Sequence, residues 1–515
     1  MTPYRDYVTS GGSLAQVLLI AVLAVPALGA LVVALLPARI DRGARIVAMV
    51  FAAVTFVLTA LLAMPNADYG WFAYGDQPPA LLPWIDVSAS WVPSLGVDFH
   101  LGVDGISYPL VVLTGLLTLL CCAYTVGKVP DGGRGRTLAA LLLVLEVGIL
   151  GTFLALDLVL FFIFFEVVLL PMYAVIAGWG GPDRRRAARK FVLYTLFGSL
   201  LLLLGVFTVV IAAGTGDLMA LTGGTGLSRT VQCTAFALFA VAFAVKAPLW
   251  PLHTWLPDAH TEAPTVGSVI LAGVLLKMGT YGLIRVGVGV APLGAAWAAP
   301  VLGVLAVAAI LVGSLVCLRQ TELKRLIAYS SVGHMGFVLL GIATLTATGL
   351  QAALVGNVAH GVITGLLFFL AGAIKDRAHT GALADLGGLR ETAPRLAGLL
   401  AFASIASLGL PGLAGFWGEA FAVVAATERG GPLWITLAVL AAIGGALTAA
   451  YFLRLLRRVT HGPASPAVAG FAGITRPEWL AWSPLVLLAL AIGLVPALVL
   501  AATADPVAAL TGALP

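Results

Sequence analysis

Four ionisable residues sit inside runs of sequence that otherwise suit only lipid: Glu166 in LVLFFIFFEVVLLPMY, Lys246 in FALFAVAFAVKAPLW, Lys277 in VILAGVLLKMGTYGL and Glu419 in GLAGFWGEAFAVV. A charge at the centre of a bilayer costs roughly 2.5–3.5 kcal/mol on insertion scales. Such a residue must face a protein interior or a water-filled path, so a proton or ion route is the first expectation. Acids and bases are both present, as a relay requires.

The rest of the chain agrees with a bilayer setting. It is 61% hydrophobic and 10% charged over 515 residues, with mean hydropathy +1.06, whereas a soluble domain carries about 25% charged residues. A span needs about 20 apolar residues, and about fourteen such runs are present. An all-α polytopic membrane protein is expected. The first run, 14–36, is too long for a signal peptide and is followed closely by a second, so it reads as a retained helix. The net charge of +5 comes from basic residues in short loops between spans, which argues against a nucleic-acid role. Cys121, Cys122, Cys233 and Cys317 fall in or at the edge of apolar spans without a CxxC pair, so they read as buried small hydrophobes and not as zinc or iron–sulfur ligands. No Walker A or dinucleotide fingerprint occurs. Energy must then come from an ion gradient or from partner subunits.

Basic residues mark alternate loops, among them Arg39, Arg42 and Arg45, the run Arg184–Lys190, and Arg454, Arg457 and Arg458. The loop after the second run holds Asp68, Asp76, Asp86, Asp98 and Asp104 and no Lys or Arg. The positive-inside rule puts the basic loops in the cytoplasm and, with an even span count, both termini outside. The chain divides into 1–136 (three helices and the outer loop), 137–290 and 291–461 (two halves of five helices each) and 462–515 (a last helix expected to be peripheral). Each half holds one helix interrupted by proline: KAPLWPLHTWLP with Pro248, Pro251 and Pro257, and SLGLPGLAG with Pro411. Pro248 and Pro411 strip the carbonyls of Ala244 and Ser407 of their helical donors. Interrupted segments at matching positions of two halves point to a transport site.

Glu166 is flanked by Phe161, Phe162, Phe164 and Phe165 and is expected to stay charged only with a cation such as Lys246 nearby. Lys277 is too deep to snorkel and is either a relay or half of a buried pair. His334 and His360 lie in consecutive spans with side chains suited to proton exchange. A bis-His haem fits poorly with seven histidines in all. Glu146, in LLLVLEVGIL, could feed or branch the path or lie off it. His253, Asp258, His260 and Glu262 crowd one end of the interrupted first-half helix and read as an entry funnel or polar cap in preference to metal ligands. Asp157 reads as a solvated turn residue, and Arg184–Lys190 as a topology anchor.

FLALDLVLFFIFFEVVLLPMY, VKAPLWPLHTWLPDAHTEAPTVGSVILAGVLLKMGTYGLIR and LKRLIAYSSVGHMGF closely resemble the antiporter-like subunits of proton-pumping NADH:quinone oxidoreductase, respiratory complex I. The resemblance runs from about residue 90 to 460. It implies fourteen helices in two inverted five-helix repeats with helices 7 and 12 broken. It implies further that Glu166 and Lys246 form a first-half pair, that Lys277, His334 and His360 form the central axis, and that Glu419 ends it, with Glu146, His253 and Asp258 as accessory candidates. Glutamate at position 419 resembles the subunit M branch, where subunits L and N carry lysine; Phe165 departs from the Trp that relatives often place before the glutamate. The implied setting is a bacterial plasma membrane between the antiporter-like subunits L and N. NADH, FMN, iron–sulfur clusters and quinone would be bound by partner subunits, and no cofactor or metal by this chain. Rival readings are a subunit of a multi-subunit Na⁺/H⁺ antiporter of the Mrp type and a scaffold whose buried charges are static pairs.

Overall fold

The computed structural model describes residues 13–63 and 81–514; Asp68 and Asp76 of the acidic loop lie outside the described residues. The chain is a bundle of long apolar helices. Helices α1 (Ser13–Leu35) and α2 (Asp41–Leu61) lead to a loop containing an antiparallel hairpin, β1 (Ile85–Val92) and β2 (Val97–Val103). Then come α3 (Tyr108–Gly127), α4 (Gly135–Leu154), α5 (Leu158–Val167), α6 (Leu169–Trp179), α7 (Arg184–Ala213), the short α8 (Leu218–Leu221) and α9 (Arg229–Lys246). Helix α10 (Trp255–Glu262) precedes a span running from α11 (Thr265–Ile270) through α12 (Leu276–Gly282) to Val288, in which Leu271–Leu275 and Leu283–Val288 are π-helical. The chain continues with α13 (Pro292–Cys317), α14 (Leu323–Thr344), α15 (Ala347–Ala378), α16 (Leu389–Thr392), α17 (Pro394–Ser407), α18 (Gly415–Arg429), α19 (Gly431–Thr460), α20 (Arg476–Leu494) and α21 (Ala497–Gly512).

Thirteen helices among the described residues are long and apolar enough to cross a membrane. The count falls short of about fourteen because the expected span 396–426 is divided into α17 and α18, each too short to qualify. Between them Gly409 and Gly412 take φ of +73° and +90°, which side-chain-bearing residues avoid, and Pro411 cannot donate to Ser407. The first-half interruption falls between α9 and α10, where the carbonyl of Ala244, deprived by Pro248, accepts from Leu249 N–H at 2.9 Å. The span expected at 158–178 is also divided, at Val168, because Pro171 cannot donate to Val167. The span Thr265–Val288 and the central part of helix α15 are wholly buried inside the bundle.

Two expectations need correction. The C-terminal region is not peripheral: α20 is followed by a second helix, both pack on α15, and Trp482 is fully buried. Helix α20 also serves the second-half interruption, accepting from Ala414 N–H at Ala489 (3.1 Å) and from Trp417 Nε1 at Gly493 (3.0 Å). Asp157 is not solvated. It is fully buried and caps α5, accepting from the N–H groups of Val159 (2.8 Å) and Leu160 (3.1 Å) and from that of Asp98 in the hairpin (3.3 Å). Burial lifts its carboxyl above the usual carboxylate range.

The hairpin has a sequence signature: IDVSASWV and VDFHLGV alternate with period two around Pro-Ser-Leu-Gly. His100, almost fully buried, clasps it to the bundle with Nε2 3.3 Å from Asp86 and Nδ1 3.3 Å from Asp217. Burial alone would lower the His100 pKa, but the bonds and charges of Asp217 and Asp86 outweigh it and hold the value at about 9. A pKa raised on folding contributes stability that is complete below the ordinary value near 6.5 and is lost as pH rises through the folded value. Amide exchange over Val97–Val103, corrected for intrinsic rates, should therefore accelerate between about pH 6.5 and 9 in the native protein. His100→Gln should remove that transition. Superimposable profiles for the two proteins would show that the clasp holds nothing.

Candidate proton-transfer axis

Lys277 lies on α12 between the two π-helical stretches and has no solvent exposure. Its ammonium donates to the carbonyl of Ala272 at 2.5 Å and to His360 Nδ1 at 2.6 Å. A π-helical stretch displaces the backbone hydrogen-bond register, and such bulges recur at functional sites. His360 stands on α15, which meets the Lys277 span so closely that a Cβ on Gly361 would lie 2.6 Å from Gly273 O. Thr280 donates to Asn357 Oδ1 at 2.8 Å and ties the same two elements one turn further along.

From His360 the polar groups continue toward the second interrupted helix. The rings of His360 and His334 are 5.8 Å apart between centroids and inclined at 61°. His334 Nδ1 lies 2.5 Å from Glu419 Oε1, and Ser407 Oγ lies 2.8 Å from His334 Nε2. With Nδ1–H donated to the carboxylate, Nε2 accepts from the serine. A cavity of about 20 Å³ is lined by His334, His360, Thr364, Ser407 and Glu419 among others, room for about one water. Helices α15 and α18 reach this geometry by backbone contact, since a Cβ on Gly418 would lie 2.5 Å from Gly356 Cα.

The first-half residues are arranged differently. Lys246 is buried at the end of α9 with its ammonium 4.6 Å from the centre of the Phe165 ring, an attraction worth roughly 0.5–2 kcal/mol. Glu166 follows Phe165 on α5 and accepts from the Ser199 hydroxyl of α7. No ion pair within 4.0 Å joins Glu166 to Lys246, so the expected pair is a neighbourhood with an aromatic ring at the ammonium.

The accessory candidates do not join this line. Glu146 is fully buried on α4 and neither carboxyl oxygen makes a hydrogen bond within the chain. Asp258 pairs with Lys190 at 2.7 Å and Arg325 at 3.5 Å, tying α10 to α7 and α14. This also gives one member of the Arg184–Lys190 run a specific partner. His253 meets Tyr329 edge-on, His260 stacks on Phe368 at 4.3 Å, and Glu262 accepts from Asp183 N–H at 3.0 Å. These four side chains address different partners and do not converge. Ser407, Ser199 and Asn357 escaped the sequence reading; the one available signal was that Ser407 immediately precedes the LGLPG interruption.

Fold and axis together define a polytopic membrane protein with a buried line of titratable side chains. Residues 155–445 match the model of the family described as NADH:quinone oxidoreductase/Mrp antiporter, TM, a stretch that contains every axis residue. NAD(P)H-quinone oxidoreductase chain 4 1 of Synechococcus sp. (strain JA-3-3Ab) is 44% identical over 79% of this chain and 78% of its own length. NADH-quinone oxidoreductase subunit M of Rhodobacter capsulatus is 40% identical over 89% of this chain and 88% of its own. A chain of respiratory complex I from Thermus thermophilus with bound NADH superposes with a TM-score of 0.84 at 31% identity, over 97% of this chain and all of that one. A chain of the Mrp complex from Dietzia sp. shares the fold, with a TM-score of 0.80 at 24% identity over 97% of this chain and 98% of its own length. The chain belongs to the NADH:quinone oxidoreductase/Mrp antiporter family of transmembrane proteins.

The close approach of α15 and α18 is testable. Gly418→Ala must drive a methyl group into the backbone of Gly356, an overpacking that costs about 1–3 kcal/mol, and should lengthen the His334–Glu419 contact. The variant should melt earlier and generate a smaller proton gradient per electron transferred. Unchanged melting and pumping would mean that this contact does not set the axis geometry.

Proposed function

We propose that this chain is the proton-translocating membrane subunit, of the subunit M type, in a bacterial NADH:quinone oxidoreductase. Electrons pass from NADH through FMN and iron–sulfur clusters to quinone in partner subunits, and this chain carries protons across the plasma membrane. Its neighbours in the membrane arm are the antiporter-like subunits L and N. The basic loops face the cytoplasm and both termini face outward. Residues 137–290 and 291–461 are inverted repeats whose interrupted helices, α9–α10 and α17–α18, occupy matching places.

One observation carries this reading: the run Lys277–His360, then His334–Glu419, crosses from one half to the other through the buried interior. On the basic-loop side a cavity of about 170 Å³, lined by Lys128, Glu262, Lys324, Lys375 and Asp376 among others, supplies an aqueous entrance. Lys277 holds the arriving proton and donates it to His360 Nδ1; Glu419 receives it from His334 and releases it outward. Glu166 and Lys246 set the field at the start of the run. Two unit charges interact by about 4 kcal/mol at 4 Å and about 1.7 kcal/mol at 10 Å with an effective dielectric near 20. A change in their separation therefore alters how firmly the nearby lysines hold protons.

Glu166→Gln and Lys246→Ala should each cut proton pumping and NADH:quinone turnover several-fold while leaving NADH oxidation by an artificial acceptor intact. Native gels must establish assembly, because stranding a buried charge costs roughly 3–5 kcal/mol. An assembled Glu166→Gln complex that pumps normally would refute the assignment.

The end of the run has its own test. Glu419→Gln retains size and hydrogen bonding but cannot titrate, so pumping should fall, and Glu419→Asp should keep part of it. Glu419→Lys asks whether any titratable group suffices. It should pump measurably if so, and fail despite assembly if the charge sign is fitted to the neighbouring subunit. Wild-type pumping by Glu419→Gln removes this residue from the pathway.

A further inference from the structure

The two imidazoles at the centre of the axis meet edge to face and share no hydrogen bond. His360 has Nδ1 engaged by Lys277, and its Nε2 makes no hydrogen bond within the chain. His334 has Nδ1 engaged by Glu419, and its Nε2 lies against the Ser407 hydroxyl at 2.8 Å. Ring centroids 5.8 Å apart at 61° leave no direct nitrogen-to-nitrogen bond. Ser407 is nearly fully buried, stands at the last residue of α17, and shares with both histidines the cavity that holds about one water.

From this geometry we infer that Ser407 is a proton-relaying residue, its hydroxyl joining His360 to His334 through a single water. The inference rests on the axis reading above. A hydroxyl donates one proton while accepting another, and the transfer balances. Protonated His360 gives its Nε2 proton to the water, the water passes a proton to Ser407 Oγ, and Ser407 gives its own to His334 Nε2. His334 releases its Nδ1 proton to Glu419, whose carboxylate becomes a carboxylic acid. One positive charge has left His360 and one negative charge on Glu419 has been neutralised. His334 is left neutral with its proton on Nε2 and His360 neutral with its proton on Nδ1, and before the next transfer each ring must lose that proton and gain one at its other nitrogen, by exchange with water. The placement of Ser407 at the interruption fits the role, because its side chain is carried by the end of α17 and moves with any change at the LGLPG segment.

The experiment compares Ser407→Ala, Ser407→Thr and Glu419→Gln in the assembled complex in inverted membrane vesicles, reading the gradient per NADH oxidised and the solvent deuterium isotope effect on coupled turnover. Ser407→Ala should lower pumping at least about ten-fold, a conservative figure beside the roughly hundred-fold or more that a positioned proton-transfer group supplies, and should raise the isotope effect. Ser407→Thr, which keeps the hydroxyl, should restore both. Normal pumping by Ser407→Ala beside a defective Glu419→Gln overturns the relay and leaves the axis standing. Loss in Ser407→Ala without restoration by threonine, or without a change in the isotope effect, reduces Ser407 to a residue that positions His334 and also overturns it. Normal pumping by Glu419→Gln instead fails the underlying reading.

Discussion

An ammonium group with no solvent exposure, held between a backbone carbonyl and an imidazole, organises the interior of this protein. Lys277 cannot reach either face of the bundle, and an unpaired charge in such a place costs several kcal/mol after relaxation. It needs acceptors at hydrogen-bond distance, and those at hand are Ala272 O on its own irregular span and His360 on α15. The second acceptor requires α15 to lie in backbone contact with the Lys277 span, hence the facing glycines 273 and 361. Helix α15 then brings His360 beside His334, and its other glycine contact, Gly356 with Gly418, sets Glu419 against His334. The line across the interior follows from satisfying one cation.

The interrupted helices obey the same rule for backbone groups. Irregular main chain inside a bilayer persists only where protein or water meets its polar atoms. Ala244 recovers a donor from Leu249, and the N–H of Ala414 is met by a carbonyl of α20. The C-terminal helices thus belong to the second half, both packing on α15 and α20 also closing on the interruption at Ala414 and on α18.

Features written within one segment were legible in the sequence: the acids, lysines and histidines inside apolar runs, the proline interruptions, and the helical class. Features that depend on residues far apart were not. His334 meets Glu419 across 85 positions, Lys277 meets His360 across 83, and Ser407 meets His334 across 73, so no periodicity reports them. Lys246 shows the limit in another way, since its charge suggested a place near Glu166 but gave no sign that the ammonium rests on the Phe165 ring. Asp157 and the hairpin were legible but passed over: an aspartate ahead of LVLFF is a helix cap, and the alternation of VDFHLGV is a strand pattern.

The tightness of the cavity between the histidines has a consequence for ion selectivity. A metal cation crossing a membrane must exchange its hydration shell for an equivalent set of oxygen ligands along the way. Around about 20 Å³ of free space this chain offers one carboxylate, the hydroxyls of Thr364 and Ser407, and two imidazoles, with the Lys277 ammonium bonded to one of those rings. A sodium ion arriving there would find too few oxygens and no room for its water. A proton needs none of these, because it travels as an exchange of bonds. The smallness of its polar space thus suits the proposed axis to protons and not to the far more abundant alkali cations.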